Sequence, residues 1–458
     1  MPRRYLAPSA MLPSGWADDV LIVVGDDGVI ASVATNMTDV AAERLNGPAL
    51  PGMPNLHSHA FQRAMAGLTQ RAGPEGDSFW AWRELMYRFL ARLTPDDVEA
   101  IATRLYIEML EAGYTSVAEF HYLHHDPAGK PYANPVEMAE RLRAAADSAG
   151  IGLTLLPVFY AHSNFGGLAP TAGQRRFITD IEQFSRMLDM LNAALAQHPM
   201  QRLGVAPHSL RAVSPGELKR LLELRDDLDA AMPVHIHAAE QKKEVDDCIA
   251  SLGARPVQWL LDNIAVDERW CLVHATHMDR GETAALAAST AVAGLCPTTE
   301  GDLGDGLFSA KTFLARDGRF GIGGDSHVNV DPFLELRLFE YGQRIKYEQR
   351  NVFGLARAES FGGRLYRAAS GGGAQALGQR IGAIAAGHRA DWIVLDQADS
   401  AFGQQRGDAL LDGAIFGPMK APVGDVMAGG QWHVRNGVHT RAAESAARYA
   451  ITLKGLLT

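Results

Sequence analysis

The chain has 458 residues, 47% of them apolar and 21% charged, and carries a formal net charge of −10. That length accommodates roughly two to three domain equivalents, or one α/β barrel with an appendage, and a composition free of polar low-complexity tracts excludes a disordered chain. The acidic balance speaks against nucleic acid or an anionic membrane surface as partner, because both reward a basic footprint. No apolar stretch approaches membrane-spanning length, and no internal repeat is visible. Three scattered cysteines, Cys248, Cys271 and Cys296, are too few for a disulfide framework. The N-terminal MPRRYLAPSAMLPSGWADD reaches acidic residues before any apolar run of secretory length. Both features point to a reducing, cytoplasmic setting.

In chain order, DDVLIVVGDDGVIASVAT sets Asp26-Asp27-Gly28 between two β-branched runs and predicts a hairpin. The middle of the chain alternates apolar runs with amphipathic stretches, the pattern of βα units around a parallel sheet. Eight runs read as strands: PALPGMPNLHSHA, YTSVAEFHY, IGLTLLPVFYA, QRLGVAPHSLR, MPVHIHAAE, WCLVHATHM, AVAGLCPTT and RFGIGGDSH. Helical segments lie between them. One is PDDVEAIATRLYIEMLEAG, which Thr94 opens as an N-cap and Gly113 closes. Eight strands with intervening helices predict a (β/α)8 barrel, whose chemistry gathers at the C-terminal strand ends. Near the far end, IGAIAAGHRADWIVLD (Ile381 to Asp396) and DVMAGGQWHVRNGVHT (Asp425 to Thr440) again read as short strands with glycine and Asn-Gly turns. The two β-rich ends are expected to form one small β-sandwich domain. The predicted organisation is thus 1–50 and 378–458 for that domain and 51–377 for the barrel.

Chemistry-bearing residues fall where these strands stop. His57 and His59, at i and i+2 on an extended chain, project to one side and present two imidazoles to a single point. The fifth strand repeats that geometry with His235 and His237 and adds Glu240 just beyond it, while His274 ends the sixth and Asp325 the eighth. Four strands therefore end in metal-ligand or acid/base groups. His121, His124 and His125 lack a partner carboxylate pattern and are expected in a loop. The acidic EGDLGDG lacks the spacing of an EF-hand and reads as an active-site loop after strand seven, and Gly371-Gly372-Gly373 lacks the strand-turn-helix context of a nucleotide site.

At these residues the sequence resembles the amidohydrolase superfamily. More narrowly, PNLHSHAFQRAMAG, APHSLRAVS, HIHAAEQ, CPTTEGDLGDG and GGDSHV are similar to the N-formimino-L-glutamate deiminases of that superfamily. The resemblance covers nearly the whole chain and implies a distorted (β/α)8 barrel beside a composite β-sandwich. Carried over by position, it makes His57, His59, His237 and Asp325 the metal ligands and Glu240 and His274 the proton-handling pair. Binuclear relatives use a carboxylated lysine after strand four; LGVAPHSLR has none, so one metal is expected. Nitrogen and oxygen donors without cysteine suit Zn2+, with Fe2+ or Mn2+ as alternatives.

The implied reaction is attack of metal-activated water on the formimino carbon of N-formimino-L-glutamate, releasing ammonia and leaving N-formyl-L-glutamate, a step in histidine degradation. Asp325 would accept the proton of the water, Glu240 would pass one to the departing nitrogen, and His274 would orient the attack. Two substrate carboxylates favour bidentate arginine recognition, with Arg211 the first choice and Arg83 the second. Gln62, Tyr122 and His208 are expected to line the pocket, His277 and His327 to support it from behind, and His235 either to support it or to serve the fold. The alternative is another aminohydrolase of the superfamily, acting on a purine, pyrimidine or triazine ring. Relatives of this kind are often dimers, so a homodimer is expected.

Overall fold

A computed structural model describes residues 2–70, 79–396, 405–417 and 422–458. The two chain ends meet in one nine-stranded sheet. The N-terminal part contributes Arg3–Leu12, Gly15–Val24, Ile30–Ala34, Glu43–Arg44 and Ala49–Pro51, and the C-terminal part contributes Trp392–Leu395, Val423–Ala428, Gln431–Arg435 and Val438–His439. They join where Leu50 faces Ile393 and Pro51 faces Trp392 in antiparallel register. The predicted hairpin is present, with Ile22 opposite Val33. The Asn-Gly signal is also realised: Asn436 and Gly437 both take positive φ, 50° and 76°, as a tight hairpin turn between paired strands requires. Tyr5, Trp392 and Trp432 pack edge to face at centroid distances of 5.4 to 6.0 Å and fill the core beneath this sheet. In the stretch from Ile381 to Asp396 only Trp392–Leu395 is a strand; the glycines and alanines before it offer no β-branched run to pair.

The middle of the chain forms the barrel. Its strands are β1 (Met53–Ser58), β2 (Tyr114–His121), β3 (Gly152–Phe159), β4 in two short pieces (Gln201–Leu203 and Ala206–Pro207), β5 (Val234–Ala238), β6 (Trp270–His274), β7 (Val292–Leu295) and β8 (Arg319–Ile322). Neighbours pair in parallel from β1 to β4 and from β5 to β8. Single bridges close the ring, Val205 to Val234 and Ser209 to His237 on one side and Ser58 to Asp325 on the other. Every residue of β1, β2 and β3 is buried, as strands covered on both faces must be. The apolar run PALPGMPNL serves two sheets: Ala49–Pro51 joins the terminal sheet and Met53–Ser58 opens the barrel.

The helix Pro95–Ala112 forms as its sequence predicts. Thr94 and Asp97 make a reciprocal capping box, and Gly113 ends the helix at φ 104°. The last helix, Ala442–Leu457, packs against it: Arg448 pairs with Glu99 at 2.8 Å, and Arg92 donates to the Leu456 carbonyl at 2.8 Å. No helix among the described residues is long and apolar enough to cross a membrane.

The glycine triplet has a packing role. It lies inside the helix Phe361–Leu377, where a Cβ on Gly372 would overlap the Phe320 carbonyl of β8 and one on Gly373 would stand 2.9 Å from Pro54 of β1. That contact lets the helix seal the N-terminal end of the barrel. Its last-turn carbonyls, which no helical N–H reaches, are met from inside the barrel. His235 Nε2 bonds the Ala376 carbonyl at 2.8 Å, and Thr154 Oγ1 donates to Leu377 at 2.8 Å. Substitution should separate the two kinds of glycine. Gly372→Ala is expected to cost about 1–3 kcal/mol by overpacking. Gly371→Ala, whose Cβ meets nothing within 4 Å, should gain up to about 1 kcal/mol from helix propensity. Thermal midpoints of the two variants check both signs.

Candidate active site

The period-2 geometry of β1 turns His57 and His59 to one side, and β5 brings His237 to meet them. His57 Nε2 stands 3.2 Å from His59 Nε2 and 3.1 Å from His237 Nε2. Asp325 Oδ1 lies 3.5 Å from His57 Nε2 and 3.3 Å from His59 Nε2. Backbone bonds hold this approach, because Asp325 N–H donates to the His57 carbonyl and His59 N–H to the Asp325 carbonyl, both at 3.0 Å. The far side of each ring sets its tautomer. His59 Nδ1 faces the Phe120 carbonyl at 2.9 Å and His237 Nδ1 the His208 carbonyl at 3.2 Å, so each Nδ1 carries the hydrogen and each Nε2 keeps its lone pair. Burial pushes His57 down to about 3 and also lowers His59 and His237, leaving neutral imidazoles.

Bare lone pairs this close repel unless something positive lies between them, and one proton on His57 Nε2 serves only one of the two short contacts well. His57, His59 and His237 form one set of donors close enough to hold a divalent cation, and His57, His274 and Asp325 form a second set that shares His57. Burial pushes the Asp325 carboxyl up, but its bond to His57 and its electrostatic interactions with the His57, His59 and His274 rings outweigh that and hold it below the ordinary carboxylate range.

The strand ends are strained where they carry these groups. Ala239, His274 and Asp325 take left-handed φ values of 53°, 67° and 48°, a conformation costing about 1–2 kcal/mol per residue. Around Ala239 the strain is held by Glu244, a residue the sequence reading passed over. Its buried carboxylate accepts the N–H groups of Ala239 at 3.1 Å and Glu240 at 3.0 Å, which turns the Glu240 side chain inward. Glu240 Oε1 lies 3.9 Å from His274 Nε2, and Asp325 Oδ2 lies 3.8 Å from the same nitrogen. Burial raises the Glu240 carboxyl. Burial lowers His274, but Glu240, a bond to Glu300 and the Asp325 charge reverse that and raise it to about 10. The charge on Glu240 and the proton on His274 support each other, so the pair can hold a proton between them and pass it on.

The loop after β7 is a short helix, Pro297–Leu303, rather than an open loop up to Leu303. It is anchored from below, where Glu335 accepts from the Thr298 N–H at 2.9 Å and from its hydroxyl. Burial pushes Glu335 up to about 8 from an ordinary 4.5, against the pull of both Thr298 bonds. An acid whose folded pKa is raised stabilises the fold below its unfolded pKa, and that contribution is lost as pH rises through the folded value. The contribution of Glu335 should therefore decline between pH 4.5 and 8. Glu335→Gln should flatten the decline by up to about 1.4 kcal/mol per pH unit, read from urea midpoints across the range.

A cavity opens above the centre, lined by Gln62, Arg83, Tyr122, His208 and Arg211 together with His59, His237, Glu240, His274 and Asp325. Arg211 is 5% exposed, and its Nε has no hydrogen-bond partner among the described residues. Burial lowers its pKa, but Glu244, Tyr160 and Glu240 outweigh that, so it stays a cation. Arg83 lies over the Tyr87 ring at 5.7 Å. Gln62 Nε2 donates to the Tyr122 hydroxyl at 3.1 Å, and its Oε1 is unpartnered among the described residues. Sequence reasoning missed the aromatic wall of Trp82, Tyr87, Tyr160 and Phe177. Only Tyr160, just past β3, carried a usable signal, its strand-end position. Of the remaining histidines, His124 and His125 bond the carbonyls of Val158 and Ile178, and His327 bonds Ser58 Oγ at 2.8 Å behind the centre.

Residues 49–432 match the amidohydrolase family, and residues 6–47 match the N-terminal domain of formimidoylglutamate deiminase HutF. The chain is 54% identical over 452 residues to a formimidoylglutamate deiminase of Pseudomonas aeruginosa, covering 98% of this chain and 99% of that one. A crystal structure of an amidohydrolase from Brucella melitensis superposes with a TM-score of 0.95 at 49% identity, covering both chains completely. An adenosine deaminase from Xanthomonas campestris, solved with bound zinc, shares the fold at a TM-score of 0.81 and 22% identity, with 99% of this chain and 98% of that one covered. A barrel with histidines at the ends of β1 and β5 and an aspartate at the end of β8, matched end to end at this identity, places the chain in the amidohydrolase family, among the formimidoylglutamate deiminases.

Proposed function

We propose that this protein hydrolyses N-formimino-L-glutamate to N-formyl-L-glutamate and ammonia, in histidine degradation, with one Zn2+ per chain held by His57, His59, His237 and Asp325. One observation carries the substrate class. The cavity that His59, His237 and Asp325 line also holds a buried guanidinium, Arg211, whose Nε is unsatisfied among the described residues, which suits a carboxylate ligand. A divalent ion bound there supplies a water of lowered pKa, about 7 for zinc. Arg211 and Arg83 receive the glutamate carboxylates, while Gln62, Tyr122 and His208 border the amidine. Asp325 accepts the proton of the attacking water as oxygen bonds to the formimino carbon, and His274 orients that water. On the protonated amidine, Glu240 delivers a proton to the terminal nitrogen of the adduct, the C–N bond breaks as the adduct's hydroxyl becomes the formyl carbonyl and returns its proton to Glu240, and ammonia leaves.

The organisation that goes with this reading is a barrel of residues 51–377 with an appendage from 1–50 and 378–458. It is a homodimer in a reducing cytoplasm, where the buried Cys248, Cys271 and Cys296 stay free thiols. The second reading, a ring aminohydrolase, draws on the aromatic wall of Trp82, Tyr87, Tyr122, Tyr160 and Phe177, which would stack a flat heterocycle. Ammonia release from N-formimino-L-glutamate and from guanine, followed side by side with identification of the co-product, decides between them. Rapid ammonia with N-formyl-L-glutamate is expected. Turnover of guanine alone would overturn the assignment.

A further inference from the structure

Glu300 has no part in the chemistry described so far, yet it is 5% exposed and sits beside the proton-handling histidine. It lies in the first turn of the helix Pro297–Leu303, and two contacts converge on its Oε1: the Cys296 N–H donates at 2.9 Å, and His274 Nδ1 stands at 3.3 Å. We infer that Glu300 is a positioning residue for His274, accepting its Nδ1–H so that the ring keeps one rotation and turns Nε2 to the reacting centre. The inference rests on the role proposed above for His274.

Packing alone leaves the rotation of this ring undetermined. His274 stacks on His237 at 5.6 Å with an interplanar angle of 11°. A half-turn of the imidazole about its Cβ–Cγ bond preserves that stacking while exchanging Nδ1 for carbon. A hydrogen bond at Nδ1 selects one of the two rotations, and Glu300 supplies the one acceptor facing Nδ1 among the described residues. With Nδ1 so held, Nε2 faces Asp325 Oδ2 and Glu240 Oε1 at 3.8 and 3.9 Å. Glu300 is in turn tied down by its neighbours. Thr298 bonds Glu335, and Thr299 Oγ1 donates to the Gly324 carbonyl at 3.1 Å, so one segment aligns His274 with the residue before Asp325. This gives the CPTTE stretch a role that its sequence did not announce.

The plain alternative is that Glu300 only caps its short helix through Cys296. A double-mutant cycle on the metal-loaded enzyme separates the two. Glu300→Ala is expected to lower kcat by about 10- to 100-fold, the usual effect of removing a group that orients an active-site histidine, with KM and bound metal unchanged. Glu300→Gln keeps an acceptor for both N–H groups and should recover most of that loss. His274→Ala/Glu300→Ala should be no slower than His274→Ala. Full activity in Glu300→Ala, independent losses in the double variant, or no recovery in Glu300→Gln would each overturn the inference. A crystal structure of metal-loaded Glu300→Ala gives a readout apart from turnover. A displaced or rotated His274 ring supports the role, and an unmoved ring sinks it. If the unmodified protein releases no ammonia from N-formimino-L-glutamate, the substrate reading fails on its own, and the ring position still decides the part played by Glu300.

Discussion

His237→Ala should reduce bound divalent metal from about one per chain to near zero, and turnover with it by about 10³-fold or more. His237 is the only donor of the centre that comes from β5, and its Nε2 lies 3.1 Å from that of His57. Its loss leaves two imidazoles from β1 and one carboxylate from β8, an incomplete set on one side of the barrel. Exhaustive chelation of the unmodified protein should reproduce the loss. Re-addition of Zn2+ should then restore the unmodified protein and leave the variant inactive. Metal analysis beside ammonia release checks this, and full activity in a metal-free preparation would sink the proposed centre.

Glu240→Gln is expected to lower kcat by about 10²- to 10⁴-fold while bound metal stays at the level of the unmodified protein. Glutamine keeps the volume and the hydrogen bonds that the Glu244 clamp imposes on the backbone, but it has no proton to deliver to a departing nitrogen. Because Glu240 is the largest of the influences holding His274 up, its neutralisation also moves the proton affinity of His274 downward. A variant that kept its kcat would show that the leaving nitrogen takes its proton from elsewhere. Asp305 is the group to test next, since its carboxyl is buried close by and is itself raised, first by burial and then by the Glu240 charge.

Local rules account for the parts of the molecule that are legible in the sequence. Alternation along β1 places His57 and His59 on one side whatever the strand pairs with. Thr94, Asp97 and Gly113 cap the helix between them by contacts within a few residues. The Asn-Gly turn at Asn436 depends on two φ angles alone. The eight strands were recognisable because each is a short apolar run between helical stretches, and their order around the barrel follows from parallel pairing of successive units.

What lay beyond reach shares one property, contact between residues far apart in sequence. Nothing within CPTTE says that Glu300 meets a histidine 26 positions earlier, or that Thr298 meets Glu335. The glycine triplet lacks the context of a nucleotide site, but its packing role is visible only when β8 is laid against it. The apolar run from Pro48 to Leu56 carries no mark of where one sheet hands over to the other. By itself, then, the sequence determined the elements, the barrel and the strand ends that bear chemistry, because backbone periodicity and capping are decided by neighbouring residues. Only the tertiary structure decided which side chains converge to within 3.5 Å, which tautomers their backbone partners select, and which strained strand ends are held in place. Those depend on closing the chain over hundreds of residues, which local patterns do not encode.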